Sequence, residues 1–381
     1  MINIATRLDT VEEYYFSRKL REINVLRASG KPIINLGVGS PDIQPPQKVI
    51  TALTKSLSDV KAHNYQSYQG LPEFREAISL FYRDHFQVHL SPMTEVLPLL
   101  GSKEGIMYIS LAFLNEGDSV LVPNPGYPTY ASVTKLLGAN PIYYKLKAAN
   151  NWIPDLKELK KQDLSKVKIM WINYPHMPTG TKVTQNLFED LVDFALEHDI
   201  LIVNDNPYSF ILNEEPRSIL SIKKAKEVCL ELNSLSKTFN MAGWRVGMVS
   251  GNSKFIDSIL KIKSNIDSGM FYGIQKGAIE ALNCSKLWYV SLNSVYEQRR
   301  ELVWELVEAL NCTCEKDTAG LFVWAKLPPH FKSEEFTDML LKEHHVFIAP
   351  GTVFGSQGEG YVRFSLCASM EDVEEALARL S

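Results

Sequence analysis

The chain has 381 residues, 45% of them apolar and 22% charged, enough to bury a sizeable core in two or three domains of ~150 residues each. Its net charge of −4, with both signs interspersed, leaves no electrostatic footprint for nucleic acid and no polybasic patch for a membrane surface. The longest apolar stretches, 106–114 and 201–203, fall short of the ~18 residues of a membrane span, and MINIATRLDTVEEYYFSRKL lacks the apolar region of a signal peptide.

The five cysteines are odd in number, and only Cys312 and Cys314 lie close together. That C-x-C spacing matches neither a zinc site nor a redox pair, and the scattered histidines follow no H-E-x-x-H pattern. The expectation is free thiols, no metal and a cytoplasmic location.

In chain order, residues 12–30 read as one amphipathic helix ending at Gly30, a fitting cap ahead of Pro32. Strand-like runs follow at 96–100, 119–122, 141–146, 167–172, 200–203, 228–232 and 246–250. Helix patterns lie between several of them. Ile106, Ile109, Ala112 and Phe113 mark one, and Leu187, Leu191, Phe194, Ala195 and Leu196 another. Strands interleaved with helices predict an α/β unit with a mostly parallel seven-stranded sheet covered on both faces. A long helix at 297–310, strands at 321–326 and 361–365 and a closing helix at 370–380 predict a smaller α+β domain built from both chain ends. The expected division is 1–43 with 283–381 for the small domain and 44–282 for the large one.

Open α/β sheets bind ligands outside the carboxyl ends of their strands. Polar residues gather there: Ser102 and Lys103 after the first run, Tyr127 after the second, Asn173 after the fourth. Asp205 and Tyr208 follow the fifth run, and Ser234, Ser236 and Lys237 the sixth. GSKEG at 101–105 joins a strand to a helix, so its backbone N–H groups suit a dianion, although an ordinary helix cap would read the same way. GVG at 37–39 lacks the third glycine of a dinucleotide fingerprint. In SLSKTFNMAGWRVG at 234–247, Lys237 stands among Leu235, Phe239, Met241 and Trp244. A lysine in such an apolar, cation-flanked setting has its pKa lowered, as a Schiff-base nucleophile needs. Arg245 offers a planar fork for a phosphate. Asp205, in LIVNDNPY, is a carboxylate at a buried strand end and needs a donor or cationic partner, for which a protonated pyridine nitrogen is one candidate and a helix cap another.

Together these residues resemble the class I/II aminotransferases, pyridoxal-phosphate enzymes of fold type I. The likeness runs from INLGVGSPD at 34–42 to YVRFSL at 361–366, through NYQSYQGLPEFREAI, NPGYPTY, YPHMPTG, DNPY and APGTVFG in the family's order. The resemblance implies that Lys237 holds pyridoxal 5'-phosphate as a Schiff base and shuttles the proton, with Asp205 and Tyr208 completing the catalytic set. Asp205 would keep the pyridine nitrogen protonated, Tyr208 would donate to the ring's phenolate oxygen and Tyr127 would stack on the ring. Gly101, Ser102, Lys103, Ser234 and Arg245 would cradle the phosphate, with Asn173 in the same cofactor-binding set. Tyr65 resembles the tyrosine that reaches the phosphate from a neighbouring subunit, which implies a homodimer with shared sites. Arg363 and Gly39 resemble the groups that receive the substrate α-carboxylate.

The family has Asn immediately before Pro-Thr-Gly, where Met177 stands here. A thioether cannot donate, so one hydrogen bond to the phenolate is expected to be missing unless Asn173, His176 or water supplies it. The expected activity is transfer of an amino group from an L-amino acid to a 2-oxo acid. A lyase or decarboxylase would share the same residues, and a cofactor-binding regulator would need a DNA-binding domain for which the chain has no room. The segment 261–282 is similar to a branch that includes diaminopimelate aminotransferases, but it does not fix the substrate.

Overall fold

The computed structural model describes residues 2–380. Its central sheet has seven strands: β1 (Val96–Leu99), β2 (Ser119–Asn124), β3 (Asn140–Lys145), β4 (Val167–Ile172), β5 (Leu201–Asp205), β6 (Cys229–Ser234) and β7 (Gly247–Gly251). The order across the sheet is β1-β7-β6-β5-β4-β2-β3. From β6 to β3 every pairing is parallel, and only β7 runs against its neighbours. The fold class expected from the sequence is the one found.

Apolar residues run almost unbroken through β4 and β5 because helices cover both faces of the sheet. The edge strand β3 is largely exposed and carries Pro141, tolerable where a ladder ends. The helix Gln185–His198 begins at Thr184, whose hydroxyl accepts from Leu187 N at 3.2 Å, and it buries Leu187, Leu191, Phe194 and Ala195. One hydrophobic cluster lies on each face of the sheet, and a third joins the two ends of the chain. In the third, Phe16 and Ile23 of the helix Tyr15–Ala28 pack with residues beyond 290. Ile34–Asn35 pairs in parallel with Val346–Phe347, and Tyr361–Ser365 pairs antiparallel with Phe322–Lys326.

The long C-terminal helix differs from its expected extent: it spans Lys286–Ala309, not 297–310. Its first turns expose Leu287 and Val290 while burying Leu292, so the apolar residues there follow no single stripe. No helix among the described residues is long and apolar enough to cross a membrane.

Candidate active site

A cavity of about 570 Å³ opens where β1, β2, β4, β5 and β6 end, facing the cluster formed by the chain ends. Its lining includes Gly39, Ser102, Lys103, Tyr127, Asn173, Asp205, Tyr208, Ser234, Lys237, Arg245 and Arg363. Eleven of the thirteen residues to which the resemblance gives a catalytic or binding role thus share one space. Gly101 lies behind this lining, and Tyr65 is 91% exposed, away from it.

Lys237 sits in the short helix Leu235–Thr238, which Ser234 caps by accepting from Ser236 N at 3.1 Å. The turn is held from behind by Leu235 N, which donates to Val246 O at 3.1 Å. The Lys237 ammonium donates to the Gly39 carbonyl. Burial lowers its pKa, Arg363 and Arg245 lower it further, and Cys367 opposes them. The result is an amine poised to lose its proton, as a nucleophile or proton carrier requires.

Asp205 ends β5 fully inside the protein. Tyr130 donates to its Oδ2 at 2.9 Å, while Oδ1 has no hydrogen-bond partner among the described residues. Burial raises its pKa to about 6, against the pull of Tyr130. A buried carboxylate oxygen left bare is costly, and a protonated ring nitrogen would satisfy it. Tyr130 in turn stacks on Trp171, with centroids 4.9 Å apart and planes 3° from parallel.

The opposite end of the lining is cationic. Gly101 precedes the helix Ser102–Phe113 with φ +91°, and no side chain caps that end, so its first N–H groups remain for a ligand. A Cβ at Gly101 would collide with the Arg245 guanidinium, and one at Gly247 would lie 2.8 Å from Ser102 N. Both glycines let the arginine and the helix start close on one spot. Lys103 lies over the Tyr14 ring at 4.5 Å, its pKa lowered by burial and by Arg245. No carboxylate pairs with Lys103 or Arg245 through an ion pair among the described residues. A bare oxygen at one end and uncompensated cations with free N–H groups at the other fit pyridoxal phosphate.

Arg363 forms the third element. Its guanidinium lies 3.8 Å from the Phe322 ring centroid, 4.6 Å from Phe354 and 5.3 Å from Phe16. Nη2 donates to Gly37 O at 2.7 Å, Nη1 meets Met177 Sδ at 3.3 Å, and Nε has no partner among the described residues. Burial lowers its pKa to about 10. A buried arginine without a carboxylate calls for one from a ligand. The Met177 thioether occupies part of this fork and offers no donor. His176 does not replace the missing donor: it is buried outside the lining, its Nδ1 pairs with Thr179 at 2.8 Å, and burial lowers its pKa to about 3. Asn173 does line the cavity, but its amide already donates to the Asp205 carbonyl and accepts from Met177 N at 2.9 Å.

Several lining residues escaped the sequence reading. Tyr130 carried a signal, since it stands three positions after Tyr127 in NPGYPTY. Tyr14, Phe16, Phe322 and Phe354 carried none, because each looks like an ordinary core aromatic until the chain ends meet.

Known proteins match this chain over nearly its whole length. The family model described as aminotransferase class I and II matches residues 31–380. The LL-diaminopimelate aminotransferases of Dehalococcoides mccartyi and Aquifex aeolicus are each 39% identical to it over 100% of this chain, covering 98% and 99% of their own lengths. Substrate-bound BacF from Bacillus subtilis superposes with a TM-score of 0.96 at 34% identity, over 100% of this chain and 97% of its own. A Thermus thermophilus aspartate aminotransferase mutant does so at 0.92 and 26%, over 100% and 99%. The cavity that the fold builds and the full-length match agree, and the chain belongs to the class I and II aminotransferases, enzymes that move amino groups with pyridoxal 5'-phosphate.

Proposed function

We propose that this aminotransferase takes a diaminopimelate-like amino acid as donor and a 2-oxo acid as acceptor, with the residues of the cavity in the following roles. Ser102, Ser234, Arg245 and the backbone at Gly101–Lys103 hold the cofactor phosphate, Tyr127 covers the ring, and Asp205 meets its nitrogen. Tyr208, buried in the lining, donates to the ring oxygen, and Asn173 braces Asp205 and Met177. When bound, pyridoxal phosphate supplies an aldehyde carbon for the amino group and a ring that accepts the electron pair released at the substrate Cα.

Lys237 holds the cofactor through Nζ and, once the substrate amine takes its place, receives the proton from the substrate Cα. Arg363 grips the α-carboxylate, which orients the Cα–H bond, while Gly39 lets the backbone come near. The aromatic side chains around Arg363 keep water from that ion pair and so strengthen it. The observation that carries the reading is the pairing, within one cavity, of a partly buried lysine, a bare Asp205 oxygen and an acid-free buried arginine.

The names of the relatives support the choice of donor, as does Lys103, an exposed cation at the rim of the lining, placed to receive a second carboxylate. The active form is a homodimer in which Tyr65 completes the partner's phosphate site, located in the cytoplasm. The small unit comprises 1–43 with 283–381, and the large unit 44–282. A donor panel containing LL-diaminopimelate and aspartate, aromatic and branched-chain amino acids, each with several 2-oxo acids, tests this. LL-diaminopimelate is expected to give the highest kcat/KM, with amino product formed only when an acceptor is present. A tenfold preference for another donor would overturn the substrate assignment.

A further inference from the structure

The helix Ser102–Phe113 carries an acid, Glu104, in its first turn, close to the spot assigned to a phosphate. A carboxylate there would repel a dianion unless its charge were engaged elsewhere. Glu104 does not line the cavity. Its Oε2 accepts the Leu100 backbone N–H at 2.7 Å, and its Oε1 accepts the Tyr108 hydroxyl at 2.8 Å.

The same hydroxyl lies 3.3 Å from Asp267 Oδ2. Asp267 Oδ1 accepts from Lys263 Nζ and from Gly269 N, both at 2.8 Å. Lys263 is completely buried. A line of polar contacts thus runs from the Leu100 N–H through Glu104, Tyr108 and Asp267 to Lys263, with the single Tyr108 proton given to Glu104 and shared at longer range with Asp267. Burial, then Glu104, then Asp267 raise the Tyr108 pKa, so the phenol keeps its one proton, given mainly to Glu104 at 2.8 Å with Asp267 at 3.3 Å from the same oxygen. At the far end, Gly269 has φ +87°, and a Cβ there would lie 2.5 Å from Gln66 O. That segment is pressed against the backbone beside Tyr65.

We propose that Glu104, Tyr108, Asp267 and Lys263 form a positioning relay for the phosphate seat. The Tyr108 hydroxyl locks Glu104 onto the Leu100 N–H, which sets the turn from Leu100 to Ser102, and the Lys263–Asp267 pair anchors that lock to the segment against Gln66. None of the four touches the cavity, so they act through the turn. The proposal rests on reading that turn as the phosphate seat.

The test uses Tyr108→Phe, Asp267→Asn and their combination in the full chain. Three quantities are read: the dissociation constant of pyridoxal phosphate, the ³¹P shift of the bound cofactor, and the Tm of cofactor-free protein. Tyr108→Phe is expected to weaken cofactor binding about five- to tenfold, a fraction of the loss of one charge-assisted hydrogen bond because the effect reaches the phosphate only through the turn, and to move the ³¹P signal. Asp267→Asn is expected to do the same more weakly, and the double variant to be no weaker than Tyr108→Phe alone, because both cut one line. Wild-type affinity and ³¹P shift in both single variants would overturn the relay, as would a fall in cofactor-free Tm with neither quantity changed. Additive losses in the double variant would overturn it too. Failure of the wild-type protein itself to bind pyridoxal phosphate would instead strike the phosphate seat on which the relay depends.

Discussion

The floor and the wall of the cavity solve different problems. The floor is made of strand ends whose polar atoms brace one another: Tyr130 holds Asp205, Asn173 holds the Asp205 carbonyl, and Ser234 holds the Lys237 turn. The wall is an aromatic cage around Arg363, contributed by residues from both ends of the chain. A floor so braced keeps reacting groups in fixed register, whereas the wall holds one unpaired charge ready for a ligand. Damage to the floor is therefore expected to appear in the chemical step, and damage to the wall in substrate affinity.

The largest expected effect is at the centre of the floor. Lys237→Ala should lower kcat by at least ~10⁴-fold, since it removes both the tether and the proton carrier, while leaving the Tm of cofactor-free protein near wild type. Retention of a tenth of wild-type kcat would break the comparison. Asp205→Asn should lower kcat by about 10³-fold, the scale of losing one buried electrostatic partner of the reacting system.

The same variant should affect stability in the opposite direction when the cofactor is removed. The Asp205 pKa rises on folding from 3.8 to about 6, so the folded state binds more protons in that interval and stability falls as pH rises through it. Well above pH 6 the full cost of the buried charge is present, about 3 kcal/mol at 1.36 kcal/mol per unit. Cofactor-free Asp205→Asn should thus be the more stable protein at pH 7.5, with the difference vanishing near pH 4. Thermal denaturation across that range checks the sign, and a wild-type advantage at pH 7.5 would contradict it.

On the wall, Arg363→Ala should raise KM about 10²-fold for amino acid and 2-oxo acid alike, because both present the same carboxylate and lose charge-assisted bonds of about 2–3 kcal/mol. A kcat loss with unchanged KM would erase the distinction between wall and floor. The smallest effect is at their meeting point. Met177→Asn restores a donor beside Arg363 and should lower the pH of the cofactor's visible spectral transition by about one to two units, the equivalent of one such hydrogen bond. A transition that stays in place or moves upward would show that Tyr208 alone sets it.

The floor was legible in the sequence and the wall mostly was not. Apart from Tyr130, which sits in the helix Thr129–Leu136, the floor residues follow runs of buried apolar residues, so strand pattern alone placed Asp205, Ser234 and Lys237 at carboxyl ends, and the strand limits fell within two residues of those observed. The wall depends on contacts between residues more than 300 positions apart, such as Arg363 with Gly37 and with Phe16, which no local period encodes. Arg363 was reached only through the resemblance of YVRFSL to a family motif. The helix from Lys286 was shortened in the reading for a related reason: its early apolar residues face both solvent and core, so periodicity fails where packing changes partners.

The central claim is that the side chain at position 237 holds the cofactor. Protein saturated with pyridoxal phosphate, reduced with borohydride and digested, is predicted to carry the reduced pyridoxyl adduct on Lys237 in the peptide that contains SLSKTFNMAGW. An adduct confined to other lysines, or none at all, would contradict it.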